Sequence, residues 1–379
     1  MAAAPVVTPA RRAWRRLDGP GRLTGIDLAR GLAVLGMLAA HLLTIELFDP
    51  GDPSTWLDIV NGRSSILFAT LAGVSIALVT GGPRPLPSAD RPRAAARLAV
   101  RAAVLWVIGI LLITTGVPVY VILPAYAVLF LLALPFLGWS AGPLFLAAAA
   151  FGLVMPWVQP FLDAAPIWSG ALGVELFLGV GWAYPFTVWI AFLLAGMGVG
   201  RLDLRGIRAP AVLAVSGAVL AVIGYTVPAA TTAFALQSVY MAEVWTALDH
   251  SSGLWEVVGS GGFAVAVIGV CLLVCRTPLR WIALPLRAVG SMPLTAYVAQ
   301  LLVWAVVALV VLGDTTDLYG IRDAGLFWPL TIGLVLGCTA WALLLGRGPL
   351  ERLIDAAVRF VVGPGARREQ PRSVDRLEQ

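Results

Sequence analysis

Apolar stretches of about 20 residues recur along this chain from Gly31 to Leu345, separated by short polar or Gly- and Pro-containing interruptions. One such stretch crosses the hydrocarbon core of a bilayer as a helix. The pattern therefore predicts an all-α integral membrane protein, a bundle of about ten transmembrane helices. The expected spans lie near residues 26–47, 64–81, 97–115, 119–137, 141–158, 184–200, 210–228, 256–275, 288–312 and 327–345. Only Gly116-Val117-Pro118 separates the third from the fourth.

Four regions follow from the same pattern. Residues 1–24 hold Pro5, Pro9 and Pro20 among arginines and read as a flexible cytoplasmic arm. Residues 25–346 are the membrane domain. In 347–362, Leu350, Leu353, Ile354, Ala357 and Val358 recur at helical spacing, with Glu351, Arg352 and Asp355 off that face, which predicts an amphipathic helix on the inner membrane surface. Residues 363–379 read as a disordered cytoplasmic tail. Two connections, 159–183 and 229–255, are long for a bundle and carry Trp168, Trp182, Tyr240 and Trp245. They either dip over a cavity or form an interfacial aromatic belt.

Composition agrees: 59% of the residues are hydrophobic and 12% charged, against about 25% charged in a soluble domain. All 26 basic residues are Arg, and their placement sets the orientation. Apart from Arg30, Arg63 and Arg322, every arginine falls before the first span, in the connections near 82–101, 201–208 and 276–287, or in the tail. That side is cytoplasmic by the positive-inside rule, with both termini on it and Arg63 and Arg322 opposite. A pI of about 9.5 would suggest a nucleic-acid partner for a soluble protein, but here the loop bias accounts for it and no nucleic acid is implied. The first span lacks a small-residue cleavage site and should stay in place, so the expected location is the plasma membrane, multi-pass. Cys271, Cys275 and Cys338 all fall in apolar stretches and read as small buried hydrophobes rather than a disulfide framework.

The first span carries the chain's most informative polar residues. On a helix, Arg30 and His41 lie about 300° and 320° around from Asp27, so the three share one face. The rise from Arg30 to His41 is about 16 Å, which places His41 near mid-membrane if Arg30 marks the inner boundary. Ionisable side chains at that depth are costly and usually face a protein interior or a wet cavity for a purpose. The plainer readings are a neutral His bonded between helices and an Asp27–Arg30 pair that neutralises itself. Two further positions stand out. Arg63 opens the second span on the outer side beside Asp58 and Asn61, as an acceptor-orienting group or as a capping ion pair. His250 follows Asp249 in the second long connection, as an alternative base or as a solvated loop histidine. Gly259-Ser260-Gly261-Gly262 lacks a P-loop lysine and reads as helix-packing glycine. No metal-ligand cluster is apparent.

Asp27, Arg30 and His41, with ten residues between the last two, resemble the Arg-X10-His signature of the acyltransferase-3 family. Further stretches resemble the heparan-alpha-glucosaminide N-acetyltransferase-like and YeiB-like bacterial membrane proteins: Trp56-Leu-Asp58-Ile-Val-Asn61-Gly62-Arg63, Tyr184-Pro185, His250-Ser251-Ser252-Gly253, Gly290-Ser291-Met292-Pro293, and Gly346-Arg347-Gly348-Pro349-Leu350-Glu351. The resemblance covers residues 25–353 and implies a membrane acyltransferase. Such an enzyme takes an acyl group from cytoplasmic acyl-CoA, here acetyl-CoA, to an extracytoplasmic glycan or glycolipid. By position His41 matches the motif histidine and Arg30 the motif arginine, with Asp27, Arg63 and His250 as further catalytic candidates. Arg30, Arg97 and Arg101 are the candidate holders of the CoA nucleotide. The chain departs from the animal enzyme, whose catalytic histidine lies in the loop after the first span, because Asp49 to Trp56 contains none. The competing reading is a small-molecule or lipid transporter or flippase, whose polar residues would line a substrate path. No oligomeric state follows from the sequence.

Overall fold

A computed structural model describes Trp14 and residues 17–19, 21–49 and 51–363. Most of the expected arm at 1–24, and the tail after Gly363, lie outside the described residues. Among the described residues every regular element is a helix. The principal ones are α1 (Thr24–Leu42), α2 (Arg63–Val79), α3 (Arg91–Ile113), α4 (Leu123–Leu132), α5 (Ala141–Asp163), α6 (Gly173–Val180) and α7 (Phe186–Gly200). They continue with α8 (Arg208–Ala230), α9 (Leu254–Val274), α10 (Leu284–Ser291), α11 (Pro293–Leu312), α12 (Phe327–Leu344) and α13 (Pro349–Val362).

Eight helices among the described residues are long and apolar enough to cross a membrane, and α4 and α7 are shorter apolar helices. Two of the expected spans take a different local form. α4 stops at Leu132, and Pro135, which has no N–H to give to a continuing helix, sits in the 3-10 turn Leu134–Phe136 that follows. The expected span 288–312 breaks at Met292, which takes φ −138° and ψ 57° because the residue before a proline is pushed out of the helical region. α10 and α11 are therefore two helices where one span was expected.

Glycine sets the helix spacing. A Cβ on Gly31 would lie 2.0 Å from the Leu286 carbonyl oxygen, and one on Gly290 would lie 1.7 Å from the Asp27 carbonyl oxygen, so α1 and α10 cross backbone to backbone. α2 and α7 cross the same way at Gly73 and Gly196, whose added Cβ atoms would strike Leu193 and Thr70 carbonyls. α8 meets α9 through Gly217, Gly224, Gly259 and Gly262. Where lipid is as apolar as leucine, close approach of this kind is what holds helices together. Gly259 and Gly262 are therefore packing residues, as their spacing suggests.

At the Arg-rich end, Arg201 is 4% exposed and donates to the carbonyls of Ala77, Thr80, Gly82 and Leu137 at 2.8–3.1 Å, tying the C-terminus of α2 to the end of α4. Arg287 is equally buried, donating to Asp18 at 2.6 Å and the Leu17 carbonyl at 2.9 Å. Both are structural. α13 is the expected amphipathic helix, beginning at Pro349 rather than 347. Its Glu351 accepts the backbone N–H of Leu294 at 2.9 Å and of Thr295 at 3.2 Å, capping the N-terminus of α11 where a carboxylate is favoured. The long connection 159–183 contains the end of α5, a 3-10 turn and α6; Trp168 stacks on Trp182, which donates to Asp163 at 2.7 Å.

Candidate functional site

Two groups of polar side chains form at opposite ends of α1. The first gathers at its Arg-rich start. Asp27, buried in the first turn, accepts from Arg22 and from Arg30 Nη1 at 3.1 Å. Arg30 Nη2 donates to Ser75 Oγ on α2 at 2.8 Å. Asp27 thus fixes Arg30 along the α1 face, and Ser75 aims the guanidinium into a cleft of about 1220 Å³. Arg22, Arg101, Arg205, Arg347 and Arg352 also line this cleft, and arginines outnumber carboxylates on its walls. Asp355 of α13 pairs with Arg101 at 3.2 Å and with Arg347, which brings the surface helix into the cleft as its floor.

The cleft narrows into an apolar slot of about 190 Å³, and Arg30, Ser75, Arg101 and Pro293 line both. Phe68, Leu123 and Tyr126 wall the slot. Phe68 stacks between Tyr126 and Tyr297, with ring centroids 5.5 and 6.5 Å away. A charged mouth opening on a narrow apolar slot suits a ligand with a polyanionic head and a thin, mostly uncharged arm. Arg97 does not line the main cleft. It faces a neighbouring cavity of about 550 Å³ that shares Arg101, and its Nε is buried without a partner.

The second group lies at the far end. His41 is in the last turn of α1, half-buried, its ring 6.2 Å from that of Trp304 on α11 and its Nδ1 without a hydrogen-bond partner. Arg322, from a short helix after α11, donates Nε to the His41 carbonyl at 2.9 Å and so satisfies one of the open carbonyls at the end of α1. His250 and Arg322 are both within electrostatic reach of the His41 ring. The two histidines of the chain therefore lie at the same end of α1, near enough to feel each other's charge, although 208 residues lie between them in sequence.

His250 is exposed, edge-on to buried Tyr184 at 5.6 Å. Its backbone has φ 59°, and Ser252 follows at φ 56°, a conformation unfavourable to both residue types. Glu256, 3% exposed in the first turn of α9, holds the turn: Oε1 accepts the His250 N–H and Oε2 the Ser252 N–H, each at 2.6 Å. Beside it, Arg63 Nε donates to Tyr225 Oη at 2.7 Å and Nη1 to the Asp58 carbonyl at 2.8 Å, and Tyr225 shares a hydrogen bond with Ser260 at 2.8 Å. Asp249 lies 3.8 Å from Arg63, and burial pushes its carboxyl up to about 6 although Arg63 pulls the other way.

A family model described as heparan-alpha-glucosaminide N-acetyltransferase, catalytic, matches residues 22–226, more than half of the chain. The chain belongs to that family. A second model, for a protein family of unknown function (DUF418), matches residues 208–359. No curated protein matches the chain. Membership makes this a membrane protein of acetyltransferase type, and the resemblance to the heparan-alpha-glucosaminide N-acetyltransferase-like and YeiB-like proteins is met.

The acetyltransferase match contains Asp27, Arg30, His41, Arg63, Arg97 and Arg101, whereas His250, Glu256, Trp304 and Glu351 fall in the second matched segment. Each end of the site thus needs both segments. Of the residues singled out from sequence, Asp27, Arg30 and Arg101 come together at one end, and His41, His250 and Arg63 gather around the other. His41 does not join Asp27 and Arg30, because ten residues of α1 lie between it and Arg30. Glu256, Tyr225, Arg322 and Trp304 were not singled out. Only Glu256 carried a signal, a carboxylate at the start of an apolar span. Among the described residues no three His, Cys, Asp or Glu side chains come together as a metal-ligand set.

Proposed function

We propose that this protein takes an acetyl group from acetyl-CoA at the cytoplasmic face of the plasma membrane and delivers it to a glycan or lipid-linked sugar at the outer face. The observation that carries the reading is the polarity of the site along α1: an arginine-lined cleft narrowing to an apolar slot at one end, both histidines at the other. The positive-inside rule assigns the arginine end to the cytoplasm, where acyl-CoA is available. Guanidinium groups pair bidentately with phosphate, so Arg30 and Arg101 suit the nucleotide end of CoA, and the slot suits its pantetheine arm.

At the histidine end the acceptor's hydroxyl or amine attacks the thioester carbonyl carbon, and His41 accepts the proton it sheds. Collapse of the tetrahedral intermediate breaks the C–S bond, and the departing CoA thiolate takes that proton back from His41. His250, whose charge would be felt at His41, is the second candidate for this role. Arg63, held by Tyr225 and Asp58, is placed to orient a hydroxylated acceptor.

Binding of acetyl-CoA to the purified protein, compared with free CoA, tests the donor. Transfer of labelled acetyl from acetyl-CoA to membrane glycolipids or outer glycans tests the reaction. Neither binding nor transfer by the wild-type chain would overturn the proposal in favour of a transporter.

A further inference from the structure

A file of buried polar groups runs from the slot to the histidines along one face of α11. Tyr297, Gln300 and Trp304 follow at spacings of three and four, so they stack one above another on the helix. Tyr297 belongs to the aromatic stack at the slot, and its hydroxyl accepts the Ile122 N–H at 3.3 Å. Gln300, one turn further, is completely buried, and neither its amide nitrogen nor its amide oxygen has a hydrogen-bond partner. Trp304, the next turn, is also completely buried with an unpartnered indole N–H, and its ring is the neighbour of His41. The Tyr126 hydroxyl, which faces the same slot from α4, is a further buried orphan. An amide left unpaired in a membrane interior is costly, and a row of such groups leading from a ligand slot to a base is what a threaded polar ligand would satisfy.

We propose that Gln300 and Trp304 form the polar wall along which the donor's pantetheine arm threads, with the Gln300 carboxamide pairing with an amide of that arm and the Trp304 indole N–H donating to the thioester oxygen beside His41. This rests on the acetyl-CoA reading above. Chemistry and length both fit. Pantetheine carries two secondary amides, and a primary carboxamide can give and accept a hydrogen bond with either. Its chain from phosphate oxygen to sulfur has about the length of four extended residues, roughly 15 Å. From Pro293, which lines the arginine cleft, to Trp304 is 11 residues of α11, a rise of about 16 Å. The arm therefore spans the interval between the phosphate-binding end and the base. There Trp304 would stabilise the negative charge that develops on the carbonyl oxygen as the acceptor attacks.

The test uses the purified full chain with two probes, acetyl-CoA and adenosine 3′,5′-bisphosphate, which keeps nucleotide phosphates and lacks the arm. Gln300→Leu is expected to weaken acetyl-CoA binding about five- to tenfold while leaving the bisphosphate unaffected. A melting temperature at or above wild type would accompany it, since the substitution removes an unpaired buried amide; Gln300→Met gives the same readout should the Leu variant not fold. Trp304→Phe, which keeps the ring and deletes the N–H, should slow acetyl release from acetyl-CoA about a hundredfold with acetyl-CoA affinity little changed. Equal weakening of both probes in Gln300→Leu, or of neither, overturns this inference alone. Failure of the wild-type chain to bind acetyl-CoA overturns the donor reading and this inference together.

Discussion

The Glu256 carboxylate accepts the backbone N–H of His250 at 2.6 Å and thereby holds a histidine in the left-handed region, edge-on to Tyr184. A second 2.6 Å bond, from the Ser252 N–H, fixes the other side of the turn. Glu256→Ala removes both acceptors and should cost about 1–3 kcal/mol locally. Hydrogen exchange at residues 249–253 should rise and acetyl transfer fall at least tenfold, with acetyl-CoA binding at the far end unchanged. Glu256→Gln, which keeps one acceptor oxygen, should fall between.

His41→Asn keeps hydrogen-bonding capacity but cannot accept a proton near neutral pH, so transfer should be abolished while folding and acetyl-CoA binding persist. His250→Asn should be milder. Labelled-acetyl transfer at matched expression reads both, and wild-type transfer by a folded His41→Asn protein would move His250 into first place.

Arg30→Ala should weaken acetyl-CoA binding about tenfold or more, because it removes the guanidinium that Asp27 and Ser75 aim into the cleft. Arg30→Lys should recover only part, since an ammonium lacks the planar two-point contact. An unchanged affinity in a folded Arg30→Ala protein would leave Arg30 as a partner for Asp27 alone.

Asp249 gives the outer end a pH dependence whose sign is fixed. Its carboxyl is raised from 3.8 to about 6 in the folded chain, chiefly by burial, so the folded state holds its proton more tightly than the unfolded one. The contribution to stability is full below about pH 4 and is lost as pH rises through about 6. Relative to Asp249→Asn, the wild-type melting temperature should drop across that window, by the equivalent of about 3 kcal/mol. A constant difference between the two proteins from pH 4 to 7 would contradict the assignment.

Orientation is checked by cysteine labelling in a background lacking Cys271, Cys275 and Cys338. An impermeant thiol reagent added to intact cells should label Leu47→Cys and leave Asp90→Cys unlabelled until the membrane is opened. Labelling of Asp90→Cys from outside would invert the topology.

Much of this architecture was legible from residue spacing. Asp27 and Arg30 pair because three residues bring side chains onto one helical face, and Arg63 opens α2 as its place beside Asn61 and Gly62 suggests. The glycines of α9 pack against α8 where an apolar span with no ligand motif requires it. Hydropathy alone could not shorten α4 or divide α10 from α11, because Leu, Val and Ala score alike whether or not a proline interrupts their hydrogen bonds. The meeting of His41 with Trp304, of Arg63 with Tyr225, and of Glu351 with the start of α11 depends on which helices become neighbours, and no local pattern encodes that.

The backbone crossing of α1 and α10 at Gly31 and Gly290 leaves neither position room for a first side-chain carbon. Alanine at either would pry the two helices apart, and because the Gly290 contact is the Asp27 carbonyl itself, the displacement would reach the carboxylate that holds Arg30. The position of a guanidinium is thus set by two residues that have no side chain at all.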